Sequence, residues 1–186
     1  MRIPALALTF SLILAAACGR HAEMGIPHPT AYPRPNLPDT LMVVTNEAPL
    51  VFYVNAQSEV TYPRPGWLDI SYPTLGATVH VTFTMAKPDE IEAIKENRME
   101  RLMLNAGDRP VDFSEFTNGA GFDIVTATSE GSATPVQFLA TDDSEWVVSG
   151  ALYLSTPDAA AVDSLKPIID AIRSDLIKSM TNMRYK

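Results

Sequence analysis

Hydrophobic and polar positions along the chain follow two periods, and each predicts a different kind of element. Over 67–84, Leu68, Ile70 and Tyr72 alternate with Trp67, Asp69 and Ser71, then Val79, Val81 and Phe83 alternate with Thr78, His80, Thr82 and Thr84. A period of two in β-branched and aromatic residues predicts two half-buried strands, joined across Pro73-Thr74-Leu75-Gly76. Leu41–Thr45 and Pro49–Val54, either side of a turn at Asn46-Glu47, are continuous apolar runs, the pattern of strands buried on both faces. Three more strands are expected at Phe122–Thr128, Pro135–Thr141 and Glu145–Leu154. The last two flank Asp142-Asp143-Ser144, a hairpin turn signal.

Steps of three and four replace the alternation in two places. Pro88-Asp89-Glu90 opens a helix, with proline in its first turn and acid at the positive end of the dipole. Ile91, Ile94, Leu102 and Met103 are expected on one face of it, to about Asn105, and Gly107 stops it. Leu165, Ile169, Ile172, Leu176 and Met180 predict an amphipathic helix from Ser164, its expected cap, to about Asn182. Residues 107–121, with Gly107, Pro110, Gly119 and Gly121, read as a loop. The order β-β-β-β-α-β-β-β-α has hairpins rather than βαβ units. The expected fold class is therefore α+β, a mainly antiparallel β-sheet with helices packed on one face, including the C-terminal amphipathic helix.

The N-terminus changes the picture from a fold to an anchored fold. In residues 1–17, Arg2 precedes an uncharged run from Ile3 to Leu14 and three alanines. That order of charged, apolar and small residues reads as a secretory signal peptide, and the run is shorter than the roughly 20 residues of a membrane span. Cys18, the single cysteine, follows at once. An exported chain with one cysteine has no internal disulfide. Leu14-Ala15-Ala16-Ala17-Cys18 resembles a bacterial lipobox, with the leucine one position further from the cysteine than is usual. Cys18 is thus the expected lipidation site, and several acyl chains at about 0.8 kcal/mol per buried CH₂ anchor stably. Residues 18–29 are expected to be a lipidated N-terminus and flexible tether, and 30–186 a single α+β domain.

Charge excludes one class of partner. The formal net charge is −8 and falls to −9 once Arg2 leaves with the signal peptide. No basic stripe offsets it, so nucleic acid is not an expected partner.

Candidate chemistry is sparse. His80 lies in a strand whose neighbours on its face are threonines, and a general base needs a nucleophile or an orienting acid beside it. The three histidines are too scattered for a zinc site, and Asp142-Asp143-Ser144-Glu145 lacks the ligand spacing of a calcium loop. Gly119-Ala120-Gly121 precedes a strand, so it is no dinucleotide loop, and no Gly-x-Ser-x-Gly elbow occurs. No enzyme activity, cofactor or metal is expected. The tetrapeptide Tyr32-Pro33-Arg34-Pro35 returns as Tyr62-Pro63-Arg64-Pro65, but the flanks differ, and the second copy reads as a turn ahead of the Trp67 strand.

Six segments in order carry a resemblance. They are PHPTAYPRPNLP (27–38), WLDISYP (67–73), ATVH (77–80), PVQFLATD (135–142), GALYL (150–154) and DSLKPIID (163–170). Together with the lipobox they resemble the gliding motility lipoprotein GldD family of Bacteroidota, over nearly the whole mature chain. The resemblance implies a lipoprotein of the gliding apparatus, which is tied to type IX secretion, with other envelope proteins as partners and the membrane reached through the lipid. Tyr32 and Arg34, in the first segment, are the expected partner-binding residues. A surface-export signal in that phylum resembles a short acidic run directly after the lipidated cysteine, where this chain has Gly19-Arg20-His21-Ala22-Glu23. A lipid-anchored protein of the bacterial envelope facing the periplasm is expected. The alternative is a periplasmic small-ligand module in which the 107–121 loop closes a pocket over the sheet.

Overall fold

A computed structural model describes residues 35–45, 48–155 and 162–186. Its elements are β1 (Leu41–Thr45), β2 (Leu50–Asn55), β3 (Glu59–Thr61), β4 (Trp67–Tyr72), β5 (Ala77–Met85), α1 (Pro88–Ala106), β6 (Asp112–Thr117), β7 (Asp123–Thr128), β8 (Val136–Thr141), β9 (Trp146–Leu154), α2 (Val162–Asn182) and β10 (Arg184–Tyr185). Seven strands make one sheet in the order β3-β4-β5-β9-β8-β7-β6, and three make a second, β1-β2-β10. All pairings are antiparallel. This is the α+β class expected from the sequence.

The alternating pattern of β4 and β5 is realised directly. A 3₁₀ turn at Pro73–Leu75 closes on Gly76, whose φ of 59° suits glycine. Tyr72 then pairs with Ala77, and counting outward sets Ile70 opposite Val79 and Asp69 opposite His80. One face of the large sheet presents Leu68, Ile70, Val79, Val81, Phe138 and Leu152 to the core. Leu50, Phe52 and Val54 of β2 and the apolar stripe of α2 cover it, with Phe52 edge-on to Phe83 at 5.7 Å between centroids.

A buried polar cluster pins these layers together. Asp175 of α2 accepts hydrogen bonds from Tyr72 Oη (2.7 Å) and Asn55 Nδ2 (3.0 Å). Burial first, then the charge and hydrogen bond of Asp175, push the Tyr72 pKa above its ordinary value, so the phenol stays a donor. Asn118, in the turn between β6 and β7, donates to the carbonyls of Met180 and Met183 at the end of α2.

Four expectations are corrected. The helices divide between the two faces of the large sheet rather than sharing one: α1 sets Ile91 against Leu139 and Val147, which point away from the main core. Consequently burial on both faces belongs to β8, every residue of which is buried, whereas β2 alternates because only one side of the small sheet is covered. The 107–121 loop contains β6, a largely exposed strand paired with β7, and so is not a lid over a pocket. Finally, α2 starts at Val162, which puts Ser164 inside the helix rather than at its cap. Among the short strands, β3 and β10 carry too little pattern to be read from sequence.

Candidate functional site

The outer face of the large sheet, opposite the main core, is where polar chemistry gathers. Pro88 opens α1, and Glu90 accepts a hydrogen bond from the Lys87 backbone N–H at 3.2 Å. The helix then lies across β8 and β9, held by the buried Ile91, Leu102 and Ala106. Gln137 of β8 donates to the Leu102 carbonyl (3.4 Å) and accepts from Asn105 Nδ2 (3.2 Å). Met103, expected on the inward face, is 46% exposed. The position between Ile94 and Leu102 on that face is taken instead by Arg98.

The two flanks of α1 differ. On one side a cavity of about 180 Å³ lies between the helix and strands β4, β5 and β9. Arg98 and Arg101 from the helix and Trp67, His80, Ser149 and Tyr153 from the strands line it. On the other side, a groove of about 430 Å³ runs between α1 and β7, and its apolar lining is Met99, Met103, Val125 and Leu139. Phe113 of β6, 46% exposed, stands on the same face, since it pairs with Ala127 and Val125 pairs with Leu139.

His80 is better supplied than its strand neighbours suggested. Its Nδ1 lies 2.6 Å from Asp69 Oδ1 across the β4–β5 hairpin, and its ring meets Tyr153 edge-on at 5.2 Å. A carboxylate only accepts, so Nδ1 carries a proton and donates to Asp69. The orienting acid is present, but among the described residues no hydroxyl bonds to His80. The signal for this pair was available, because three steps outward from the Tyr72–Ala77 pairing reach Asp69 and His80. Arg98 and Arg101 were missed, and their signal was a charge interrupting an apolar helical stripe.

The remaining sequence features have local explanations. Asp142 Oδ1 accepts from the backbone N–H groups of Ser144 (3.0 Å), Glu145 (2.9 Å) and Trp146 (2.8 Å), which is the expected turn chemistry. Burial would raise its pKa, but those bonds and one from the Tyr185 hydroxyl outweigh it and hold the carboxyl at about 2. Residues 62–66 form the turn between β3 and β4, and Arg64 stacks over Trp67 at 3.5 Å. No group of three or more His, Cys, Asp or Glu side chains converges among the described residues.

Cys18, Tyr32 and Arg34 lie outside the described residues, as do the signal peptide and the tether. The description begins at Pro35, inside the first proline-rich segment. There Leu37 packs on the main core, the Pro38 carbonyl accepts from Asn55 Nδ2 (2.8 Å), and Asp39 pairs with Lys178. No helix of the described residues is long and apolar enough to cross a membrane.

The family model for the gliding motility lipoprotein GldD matches residues 22–185. Among curated proteins, none matches the chain.

Proposed function

Since the chain belongs to the gliding motility lipoprotein GldD family, we propose that it is a non-enzymatic, lipid-anchored component of the gliding and type IX secretion apparatus, which acts by docking on other envelope proteins. The signal peptide ends at residue 17, Cys18 carries the lipid, 18–29 is the tether and 30–186 is the docking domain, facing the periplasm. The observation that carries the reading is the apolar groove on the outer face, between α1 and the β6–β7 edge. Met103 and Phe113 are each 46% exposed there, and Leu104 is 72% exposed on the back of the helix. Side chains of this kind grouped beside an unpaired sheet edge are the usual marks of a protein-binding surface. β6 is the last strand of its sheet, bonded to β7 alone. Tyr32 and Arg34 are assigned to partner contact on the family resemblance of their segment.

A deletion strain tests this at the level of the cell. Loss of gliding or of type IX secretion, restored by the wild-type gene and not by Cys18→Ser, is expected. Wild-type behaviour of the deletion strain would count decisively against it. At the level of contact, the charge reversal Arg34→Glu is expected to weaken co-purification with other gliding components while leaving the melting temperature unchanged.

A further inference from the structure

Arg98 sits at the centre of the inward face of α1, where an apolar side chain would complete the stripe of Ile91, Ile94 and Leu102. Its Nε is buried without a hydrogen-bond partner. Neither Arg98 nor Arg101, one turn further on, has a carboxylate within ion-pairing distance among the described residues. Burial, and then Arg101, disfavour the charge on Arg98. Partly burying a charge without a partner is costly, and a bound counter-ion relieves the cost.

We propose that the cavity beneath α1 is a binding site for a small organic oxyanion, a carboxylate or a phosphate, gripped by Arg98 and Arg101. The planar guanidinium fork matches both groups and binds them through paired N–H donors. Ser149 and the His80 ring stand on the strand wall as hydrogen-bonding groups. His80 is held in place by its contact with Asp69. Trp67 and Tyr153 supply ring surface for the non-ionic body of the ligand. At about 180 Å³, the cavity has the volume of roughly six liquid waters, enough for a charged head group and a few further atoms.

The test uses the full chain in detergent, titrated separately with sodium phosphate, sodium glucuronate and neutral glucose, with melting temperature and binding heat as readouts. A saturable response to glucuronate or phosphate and none to glucose is expected, and which anion binds more tightly separates the carboxylate from the phosphate source. Arg101→Gln, at an exposed position, should weaken that binding about tenfold or more without affecting folding. Arg98→Met should abolish it while raising the melting temperature of the ligand-free protein, because the unpaired charge is gone. The proposal is overturned if neither anion gives a saturable response, if glucose matches them, or if both variants bind as the wild type does. A fall in ligand-free melting temperature for Arg98→Met, together with unchanged binding in Arg101→Gln, would make Arg98 a packing residue and also overturn it.

Discussion

The smallest units that organise this protein are three side-chain arrangements. Tyr72, Asn55 and Asp175 join β4, β2 and α2 through hydrogen bonds to one buried carboxylate. Replacing Tyr72 by Phe removes a donor and leaves that carboxylate short of a partner, so a loss of about 1.5–3 kcal/mol is expected in urea unfolding. Gly150 lies opposite Phe138, and a Cβ there would come within 2.4 Å of the Phe138 ring and 3.1 Å of the His80 carbonyl. Gly150→Ala should therefore destabilise by about 1–3 kcal/mol, and shrinking the ring in Gly150→Ala/Phe138→Leu should recover part of that loss. The Asp142 turn sets the acid response. Its folded pKa of about 2 lies below the ordinary aspartate value of 3.8, so its contribution is fully present above the unfolded pKa and is lost as pH falls through the folded one. Between about pH 4 and pH 2, the wild type should lose stability more steeply than Asp142→Asn, as followed by thermal melts. Of these arrangements only the Asp142 turn was legible in advance, because turn chemistry is local. The Tyr72–Asp175 bond joins residues 103 apart, and nothing local marks it.

At the scale of elements, the two helices are held very differently. α2 buries Ile168, Ile169, Ile172, Leu176 and Met180 in the main core, whereas α1 contributes Ile91, Leu102 and Ala106 to a thin outer layer. Backbone amides of α1 are thus expected to exchange with solvent well before those of α2 and β8, as measured by native-state hydrogen exchange. The opposite order would mean that α1 is clamped by something beyond its few apolar contacts. The alternating strands and the amphipathic α2 were readable because each covers one clean face. β6 was not, because an edge strand exposed on both sides, Asp112-Phe113-Ser114-Glu115-Phe116-Thr117, needs no apolar alternation and reads as a loop. The division of the helices between faces was hidden for a related reason: a run such as Val136-Gln137-Phe138-Leu139-Ala140 shows burial on both sides but not what covers each.

For the whole molecule, the large sheet separates two roles. Its inner face is sealed by α2 and the small sheet, and the segments shared with the family mostly serve that seal. Leu68, Ile70 and Tyr72, then Ala77 and Val79, then Phe138 and Ala140, all point into it. Its outer face is only half covered, by a helix with a basic flank on one side and an apolar flank on the other. Family membership was legible from the ordered segments, whereas the outer face was not, because its residues come from α1, β6 and β7 and meet only in the folded chain. The claim that this face is where the protein meets the rest of the apparatus can be put to one measurement. A photoreactive amino acid placed at Met103 or Phe113 in living cells, with Glu59 on the far edge strand β3 as the control position, should crosslink to another envelope protein of the gliding machinery from the first two positions and not from Glu59. Equal crosslinking from all three positions, or none from Met103 and Phe113 in cells that glide or secrete normally, would show that the docking surface lies elsewhere.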